Sequence, residues 1–404
     1  MRRLRVVLLV ALVPVAALAV AALKAARRPP DVIVVVADTL RADRVGPGTR
    51  GDLTPFLDSL AARGVRFTRA YAASSWTLPS VASLFTSRYP SQHGVNAFDA
   101  RLRDDEVTVN ERLRDRRYAQ AGFVANFRLD AAHGFGQGFD AWFPFVGAEG
   151  EPLDKPRAPM VAARALAFLD EVMLPRGWRR LVPRPPFFLY FHLMEPHAPY
   201  LPPPDAVARV GVPVAAEQAR ALNTRLLAHD WDALGPAEVG ELVALYDGEV
   251  AALDAALRTL FTGLARRGLL DRAVVVVTAD HGEEFREHGQ LGHGQSLYEE
   301  LLHVPLVVLA PGAAAGRDVD APISLVDLAP TLLDLAGVAP EPRFVGRSRA
   351  AWLARPPMPE DVLAELLPNG TRSDPAIFSH SRKYFASNGE MGTARSLSPL
   401  PPWT

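Results

Sequence analysis

The chain has 404 residues, of which 49% are hydrophobic and 22% are charged, and its formal net charge is −1. This composition is that of an ordinary globular protein, with enough apolar material for one large α/β domain or two smaller ones. The balanced charge gives no indication of a nucleic-acid partner. Because the sequence contains no cysteine, disulfides, thiolate metal sites and cysteine nucleophiles are excluded.

The first recognisable element is an uncharged apolar run, residues 6–23, with basic residues on both sides. A membrane-spanning helix needs about 20 apolar residues, whereas the apolar part of a signal peptide needs only about 7–15. The run therefore favours an uncleaved anchor. A cleaved signal stays open, because Ala17 and Ala19 are small enough to form a cleavage site. We assign residues 1–28 to a signal anchor or a signal peptide.

Apolar strands alternate with helical segments over residues 29–340, which we interpret as one catalytic-type domain. Strands are predicted at residues 31–37, 65–72, 121–126, 187–194, 273–278 and 303–310, and helices at 54–64, 79–88, 106–118, 159–173, 236–268 and 327–337. This alternation predicts an α/β fold with a mostly parallel central sheet covered by helices on both faces. After Glu341 the pattern decays, so residues 341–404 are predicted to be a short tail or a curtailed subdomain.

Polar residues follow three of the predicted strands. They are Asp38, the segment from Glu195 to His197, and the pair Asp280 and His281. Ligand sites in open α/β sheets lie beyond the carboxyl ends of strands, so we expect these residues to converge. A carboxylate and an imidazole at one place form a mixed oxygen and nitrogen site that suits a divalent ion.

The stretch SSWTLPSVASLFTSRYPSQHGVN, residues 74–96, leads into a predicted helix that runs from about Pro79 to Arg88, with Thr77 at its start. The start of a helix offers unpaired N–H groups and a partial positive charge, which suit an anion or a developing alkoxide. A hydroxyl in this position is often a simple helix cap. Beside a metal ion it is also a candidate nucleophile.

This stretch resembles the signature of the sulfatase branch of the alkaline phosphatase superfamily. The family pattern is Cys/Ser-x-Pro-x-Arg, a helix of small residues, then Arg-Tyr-Pro and His-Gly-Val. The chain has Thr77 at the nucleophile position and Val81 at the position of the Arg, so it lacks the Cys or Ser from which formylglycine is made. Threonine nucleophiles occur in relatives that act on phosphoryl groups. The resemblance implies an α/β ester hydrolase but leaves sulfate, phosphate and phosphonate esters open.

The resemblance also implies a metal site. One divalent ion, either Ca, Mg, Mn or Zn, is expected on Asp38, Asp280, His281 and Thr77. Relatives often carry a second acid or an amide after the first Asp, whereas this chain has Thr39, which would be at best a weak ligand.

Further residues match positions that contact the ester in the family. His197 and His293 are candidate general acids, because an imidazole titrates near neutral pH. Asn96 matches an amide that contacts the transferred group. Arg41 is a candidate to replace the Arg that is missing at position 81, since a guanidinium suits such oxyanions. His192, inside a predicted strand, is interpreted as a core histidine.

Our hypothesis is a metal-dependent hydrolase of sulfate or phosphate esters that acts through a covalent threonine intermediate. The resemblance places it outside the cytoplasm, in the periplasm or at the cell surface, attached to the membrane through residues 6–23, or secreted if the signal is cleaved. The partner is an anionic ester, with an envelope glycan or lipid as one source. Two alternatives stay open: a transferase of phosphoglycerol or phosphoethanolamine, and an inactive membrane-tethered binding protein on the same fold.

Overall fold

The structure, a computed structural model, describes residues 28–48, 52–145, 154–174, 184–358 and 360–366, and three further strands between residues 374 and 393. The predicted anchor at residues 6–23 lies outside the described residues. Among the residues that are described, no helix is both long and apolar enough to span a bilayer. The anchor and the membrane attachment stay predictions.

Fifteen strands belong to the described part of the chain. In chain order they are β1 (Val32–Ala37), β2 (Val65–Tyr71), β3 (Ala119–Val124), β4 (Ala141–Pro144), β5 (Phe187–Leu193), β6 (Val274–Ala279), β7 (Glu284–Phe285), β8 (Leu291–Gly292), β9 (His303–Leu309), β10 (Arg317–Val319), β11 (Ile323–Ser324), β12 (Val362–Leu366), β13 (Asp374–Phe378), β14 (Lys383–Ser387) and β15 (Glu390–Thr393).

The central sheet has nine strands in the order β10, β2, β9, β6, β1, β5, β3, β4, with β11 beside β2. Strands β6, β1, β5, β3 and β4 all run parallel. Every residue of β1, β5 and β6 is buried, as expected for strands in a parallel sheet that is covered on both faces. The predicted α/β fold with a mostly parallel sheet is confirmed.

Strand β9 is the exception to the parallel order, because it runs antiparallel to both β6 and β2. A parallel return would need a crossover, which is usually a helix. Between β6 and β9 the chain instead forms the short hairpin of β7 and β8 and a four-residue helix, Glu299–Leu302. The mixed character of the sheet therefore follows from this connection.

The helices have slightly different bounds from those predicted. They are α1 (Pro55–Ala61), α2 (Thr77–Thr86), α3 (Pro90–His93), α4 (Val109–Arg114), α5 (Ala158–Phe168, continued by a π turn at Leu169–Met173), α6 (Pro204–Val210), α7 (Ala216–Leu227), α8 (Pro236–Arg266), α9 (Glu299–Leu302) and α10 (Leu328–Leu335). Helices α1, α5, α6 and α7 pack on α8, and α3, α4 and α10 pack on α2. Helix α2 begins at Thr77 itself, two residues before the predicted start.

Beyond Glu341, where the alternation of strands and helices in the sequence decays, the structure contains four further strands. Strands β12 to β15 form a four-stranded antiparallel sheet. Its first strand joins the catalytic-type domain, because the backbone N–H of Glu365 donates to the carbonyl of Ala73 at 2.8 Å. The Glu365 carboxylate also accepts hydrogen bonds from the backbone N–H and the hydroxyl of Ser91. The boundary between residues 340 and 341 stays a prediction.

Candidate active site

The carboxyl ends of four neighbouring parallel strands bring the polar residues together. Asp38 follows β1 and Asp280 follows β6, while His192 is the sixth residue of β5 and Asn126 comes two residues after β3. The register fixes these positions, because His192 lies beside Val36 of β1. Two hydrogen bonds extend the ladder beyond the strands, from Asp38 N–H to the carbonyl of Leu193 at 2.9 Å and from Ala125 N–H to the carbonyl of His192 at 2.8 Å.

Asp38, Asp280 and His281 form a buried cluster whose potential ligand atoms all lie within 4.8 Å of one another. Nε2 of His281 is 3.5 Å from Oδ1 of Asp38 and 3.7 Å from Oδ2 of Asp280. The other ring nitrogen, Nδ1, lies 2.9 Å from the carbonyl oxygen of Gly282. A proton on Nδ1 donates to that carbonyl and leaves the Nε2 lone pair directed at the two carboxylates, as a metal-binding histidine requires.

The donor set fits a divalent cation. Oδ1 of Asp38 is buried and has no hydrogen-bond partner among the described residues. An unpaired carboxylate oxygen is costly to bury, and a cation would satisfy it. Burial alone would raise the pKa of Asp280, but the imidazoles of His281 and His192 outweigh it and lower that pKa. Two carboxylates and an imidazole suit an ion that accepts oxygen and nitrogen ligands.

Thr39 lies at the edge of this cluster in a strained conformation. Its φ is 64°, in the left-handed region that β-branched residues avoid. Its backbone N–H lies 3.4 Å from Oδ1 of Asp280, and its carbonyl accepts a hydrogen bond from the Tyr246 hydroxyl at 2.8 Å. The Thr39 hydroxyl is buried and has no described partner. Its assignment as a weak ligand stays a prediction.

Thr77 brings its hydroxyl to the same place. Its Oγ1 lies 3.3 Å from Nε2 of His281 and 3.5 Å from Nδ2 of Asn126. Helix α2 is held against the cluster because the Ser80 hydroxyl, one turn further on, donates to the carbonyl of Asp280 at 2.6 Å. The hydroxyl thus lies at the start of a helix, which stabilises negative charge that develops on it, and beside the cluster that is suited to a cation.

Two further imidazoles lie beside His281. The ring centroid of His293 is 4.5 Å from that of His281 and 5.1 Å from that of His197. Nδ1 of His293 forms an ion pair with Glu283 at 2.7 Å, and Glu283 also accepts a 2.6 Å hydrogen bond from the Tyr200 hydroxyl. Although burial opposes the charged imidazole, Glu283 raises the pKa of His293 to about 8.

The pKa of His197 is shifted in the opposite direction from that of His293. Burial lowers its pKa, and the charge of His293 contributes in the same direction. Its Nδ1 lies 2.5 Å from the carbonyl of Ala198, which fixes the ring. Two neighbouring imidazoles whose pKa values are driven apart have the properties of an acid and a base.

Arg41 does not have the free guanidinium that a substrate contact requires. The group is buried, pairs with Asp43 and Glu287, and donates to the carbonyl of Glu283. The predicted contact of Arg41 with the substrate stays a prediction, and we give Arg41 no part in the mechanism proposed below. Asn96 lies in the loop that follows α3 and is half-buried, and its role as a contact to the transferred group stays a prediction.

The sequence pattern of the family described as Sulfatase matches residues 30–338, which is most of the chain. The chain belongs to the sulfatase family. The match covers all of the residues in the acidic and histidine cluster, together with Thr77, His197 and His293.

Curated relatives of this sulfatase-family chain include Arylsulfatase K from several vertebrates. The Mus musculus protein is 27% identical over 371 residues, which are 80% of this chain and 64% of that protein. The Homo sapiens protein is 26% identical over 376 residues, 80% of this chain and 68% of that protein. The chain spans less than two thirds of the Mus musculus and Rattus norvegicus proteins.

Solved structures of low sequence identity share the fold. The phosphonate monoester hydrolase of Agrobacterium radiobacter superposes with a TM-score of 0.73 at 20% identity, covering 90% of this chain and 88% of that chain. A protein solved with its substrate D-glucosamine-2-N,6-O-disulfate gives 0.71 at 20% identity, covering 89% and 88%. A 2-O GAG sulfatase gives 0.71 at 19% identity, covering 91% and 85%.

Two residues of this sulfatase-family site were not selected from the sequence. His192 was interpreted as a core histidine, yet its Nε2 lies 3.3 Å from Oδ2 of Asp280 and 4.0 Å from Oδ2 of Asp38. Burial opposes the charged ring, but Asp280 and Asp38 together raise the pKa of His192. Asn126 was passed over, and its amide donates to Asp38 at 2.7 Å. Its signal in the sequence is its position at the end of a strand predicted at residues 121–126.

Proposed function

We propose that this chain is a metal-dependent sulfate-ester hydrolase in which Thr77 is the nucleophile. The observation that carries the proposal is the position of the Thr77 hydroxyl, 3.3 Å from Nε2 of His281 and at the start of α2. The family and the names of the arylsulfatase relatives support sulfate over phosphate as the transferred group. We keep the extracytoplasmic location and the anchor at residues 6–23 as parts of the same proposal.

Asp38, Asp280 and His281 would hold the divalent cation, with Thr77 beside them, and the cation would neutralise charge on the ester and increase the acidity of a neighbouring hydroxyl. The protein contributes separately to that acidity. The Asn126 amide lies 3.5 Å from the Thr77 oxygen and can donate to it once the hydroxyl proton has left to solvent. The start of α2 favours the same negative charge. Thr77 is therefore held in a place where its alkoxide is stabilised.

In the proposed reaction, the SO₃ group is transferred in two steps, first to Thr77 and then to water. In the first, Thr77 Oγ1 bonds to the sulfur, the bond from sulfur to the alcohol oxygen breaks, and protonated His293 gives the departing alcohol its proton. In the second, water attacks the sulfur of the sulfothreonine and gives a proton to neutral His197, and the bond from sulfur to Thr77 Oγ1 breaks. The Thr77 alkoxide takes a proton from solvent as sulfate leaves, and solvent also recharges His293 and takes the proton from His197. The charged His293 suits the first role, and the neutral His197 suits the second.

The test compares wild type with Thr77→Ala and Thr77→Ser. The substrates are 4-nitrophenyl sulfate, 4-nitrophenyl phosphate and a phosphonate monoester, with the purified chain loaded with Mn²⁺ or Ca²⁺. We expect sulfate ester turnover in wild type, a loss of about a thousandfold or more in Thr77→Ala, and partial retention in Thr77→Ser, which keeps the hydroxyl.

A second readout follows the covalent step directly. After rapid acid quenching, mass spectrometry should find the mass of one SO₃ group on the peptide that contains Thr77, and not on that peptide from Thr77→Ala. Undiminished turnover in Thr77→Ala would exclude the covalent mechanism. Turnover of the phosphorus esters alone would exclude the assignment to sulfate esters.

A further inference from the structure

An aromatic surface lies directly beside Thr77. It consists of Trp76, Phe98, Phe127 and Arg128, and we call it the aromatic platform. Phe98 and Phe127 are 69% and 56% exposed. Large aromatic side chains that stay in contact with water next to a reactive site often mark a binding surface. We propose that the aromatic platform binds the alcohol part of the substrate, and that this alcohol is a ring that carries a second anionic group.

Arg128 is held between the rings of the platform. The carbon at the centre of its guanidinium is 5.1 Å from the ring centroid of Phe98 and 4.9 Å from that of Phe127. Its Nη1 also donates to the backbone carbonyl of Phe98 at 3.1 Å. The rings of Trp76 and Phe98 are in turn 5.2 Å apart. The cation is thus fixed in position by contacts that leave its positive charge uncompensated.

The platform is connected to the reacting atoms through Asn126. The side-chain carbonyl of Asn126 accepts the backbone N–H of Arg128 at 2.9 Å, while its amide group donates to Asp38. Trp76 immediately precedes Thr77 in the chain. When the sulfate group of a substrate lies beside Thr77, the ring of its alcohol part would therefore contact the aromatic platform.

The charge of Arg128 determines the kind of ring. In the described ranges no carboxylate lies within ion-pair distance of Arg128, whereas Arg88 and Arg103, for example, both pair with Glu106. A guanidinium has five N–H donors, and within the described part of the chain one of them is used, by the Phe98 carbonyl. The remaining donors match the two oxygens of a carboxylate or of a second sulfate. Charge complementarity therefore favours an acidic ring over a neutral one.

This inference rests on the proposed function and extends it to the substrate class. Its test uses two aryl sulfates of similar shape, 4-carboxyphenyl sulfate and the neutral 4-acetylphenyl sulfate, with wild type and Arg128→Gln. Each ester is compared only with itself across the two proteins, so differences in leaving-group acidity cancel. We expect KM for the carboxylated ester to rise about tenfold in Arg128→Gln, and KM for the neutral ester to rise much less, because only the carboxylated ring uses the charge of the guanidinium.

Matched variants complete the design. Arg101→Gln removes an exposed arginine that already pairs with Asp104, and it should change neither ester. Phe127→Ala should raise KM for both esters, because both rings use the apolar face. Equal changes in both esters for Arg128→Gln, or no change in either, would overturn the acidic subsite. Thermal melting of each variant identifies any loss of folding.

A binding experiment separates this inference from the proposed function. Calorimetric titration with the product-like 4-hydroxybenzoate and with neutral 4-hydroxyacetophenone needs no turnover. Tighter binding of the carboxylate to wild type, lost in Arg128→Gln, would support the subsite even if no sulfate ester is hydrolysed. Equal affinity of the two phenols in wild type would overturn it even if sulfate esters are hydrolysed.

Discussion

Nδ1 of His293 lies 2.7 Å from Oε1 of Glu283, and this pair sets the protonation of both groups. Burial would raise the pKa of Glu283, but the charge and hydrogen bond of His293 outweigh it and lower that pKa to about 2. The same pairing raises the pKa of His293 to about 8. As a general acid His293 must be protonated, so the chemical step should persist below pH 8 and decline as the pH rises through that value.

The variant Glu283→Gln tests this pairing. Removal of the carboxylate charge should lower the pKa of His293, so the alkaline limb of the kcat profile should move down by about 1 to 2 pH units. Near pH 8, kcat should fall about tenfold while KM changes little. Tyr200→Phe keeps the carboxylate and should leave the limb near its wild-type position. An alkaline limb at the same pH in wild type and in Glu283→Gln would contradict the assignment of His293 as the general acid.

Asn126→Ala tests the amide that contacts both Asp38 and Thr77. The variant loses the 2.7 Å hydrogen bond to Asp38 and the donor that faces the threonine oxygen. Groups that orient metal ligands typically contribute about 10- to 100-fold in activity or metal affinity, so we expect kcat to fall within that range. Asn96→Ala, assayed in parallel, measures the predicted contact to the transferred group. A kcat within twofold of wild type for Asn126→Ala would contradict the assigned role.

Metal removal should change stability as well as activity. Without a cation, the carboxylates of Asp38 and Asp280 lie buried close to one another with only imidazoles to offset their charge, so a chelator should lower the melting temperature of wild type. Mn²⁺ or Ca²⁺ should restore it, and the gain should rise with free ion concentration. His281→Ala should show a much smaller response. A melting temperature that changes with neither the chelator nor the added ion would contradict a resident metal.

The sequence predicts the ends of the central strands well, because parallel strands that are buried on both faces are nearly pure apolar runs. A carboxylate that interrupts such a run is conspicuous, which is why Asp38 and Asp280 were found. His192 illustrates the reverse case. It lies inside the apolar run of β5, where a single polar residue is as often a hydrogen-bonded core group as part of a site. Only the register of β5 beside β1 shows that His192 faces the cluster.

Other features depend on long-range pairing that local pattern does not contain. Asn126 comes two residues after β3, and its importance depends on β3 lying next to β5 in the sheet. The direction of β9 depends on the connection from β6. That connection contains site residues and a hairpin instead of a crossover helix. Strands β12 to β15 are four or five residues long, too short for alternation to be distinctive.

Lys155 supports the segment that carries His197, and its removal should destabilise the fold. The buried ammonium donates to the backbone carbonyl of His197 and lies 3.3 Å from Glu249. Burial lowers the pKa of Lys155, which the charge of Glu249 opposes. Lys155→Met removes one partner of a buried pair, which typically costs about 3–5 kcal/mol. Urea unfolding should show a lower midpoint with an unchanged slope.

The comparison for Lys155→Met is Lys155→Arg, which keeps the charge and should retain more of the stability. Because Arg157 also binds Glu249, at 2.8 Å, the loss in Lys155→Met should fall at the lower end of that range. A loss below about 1 kcal/mol would be typical of an exposed pair and would contradict a structural role for this buried ammonium.

The side chain of Glu365 connects the C-terminal sheet to α3, and Glu365→Ala should weaken that connection. The buried carboxylate accepts the backbone N–H of Ser91 at 2.9 Å and the Ser91 hydroxyl at 3.0 Å. Hydrogen bonds to a charged group contribute about 1.5–3 kcal/mol, so we expect a loss of that size in the free energy of unfolding. Glu360→Ala, which removes partly exposed ion pairs with Arg347 and Arg349, should cost less than about 1 kcal/mol. The backbone hydrogen bond from position 365 to Ala73 is kept in Glu365→Ala, so kcat should change little in either variant. Equal losses of stability in the two variants would show that the sheet is held by other contacts.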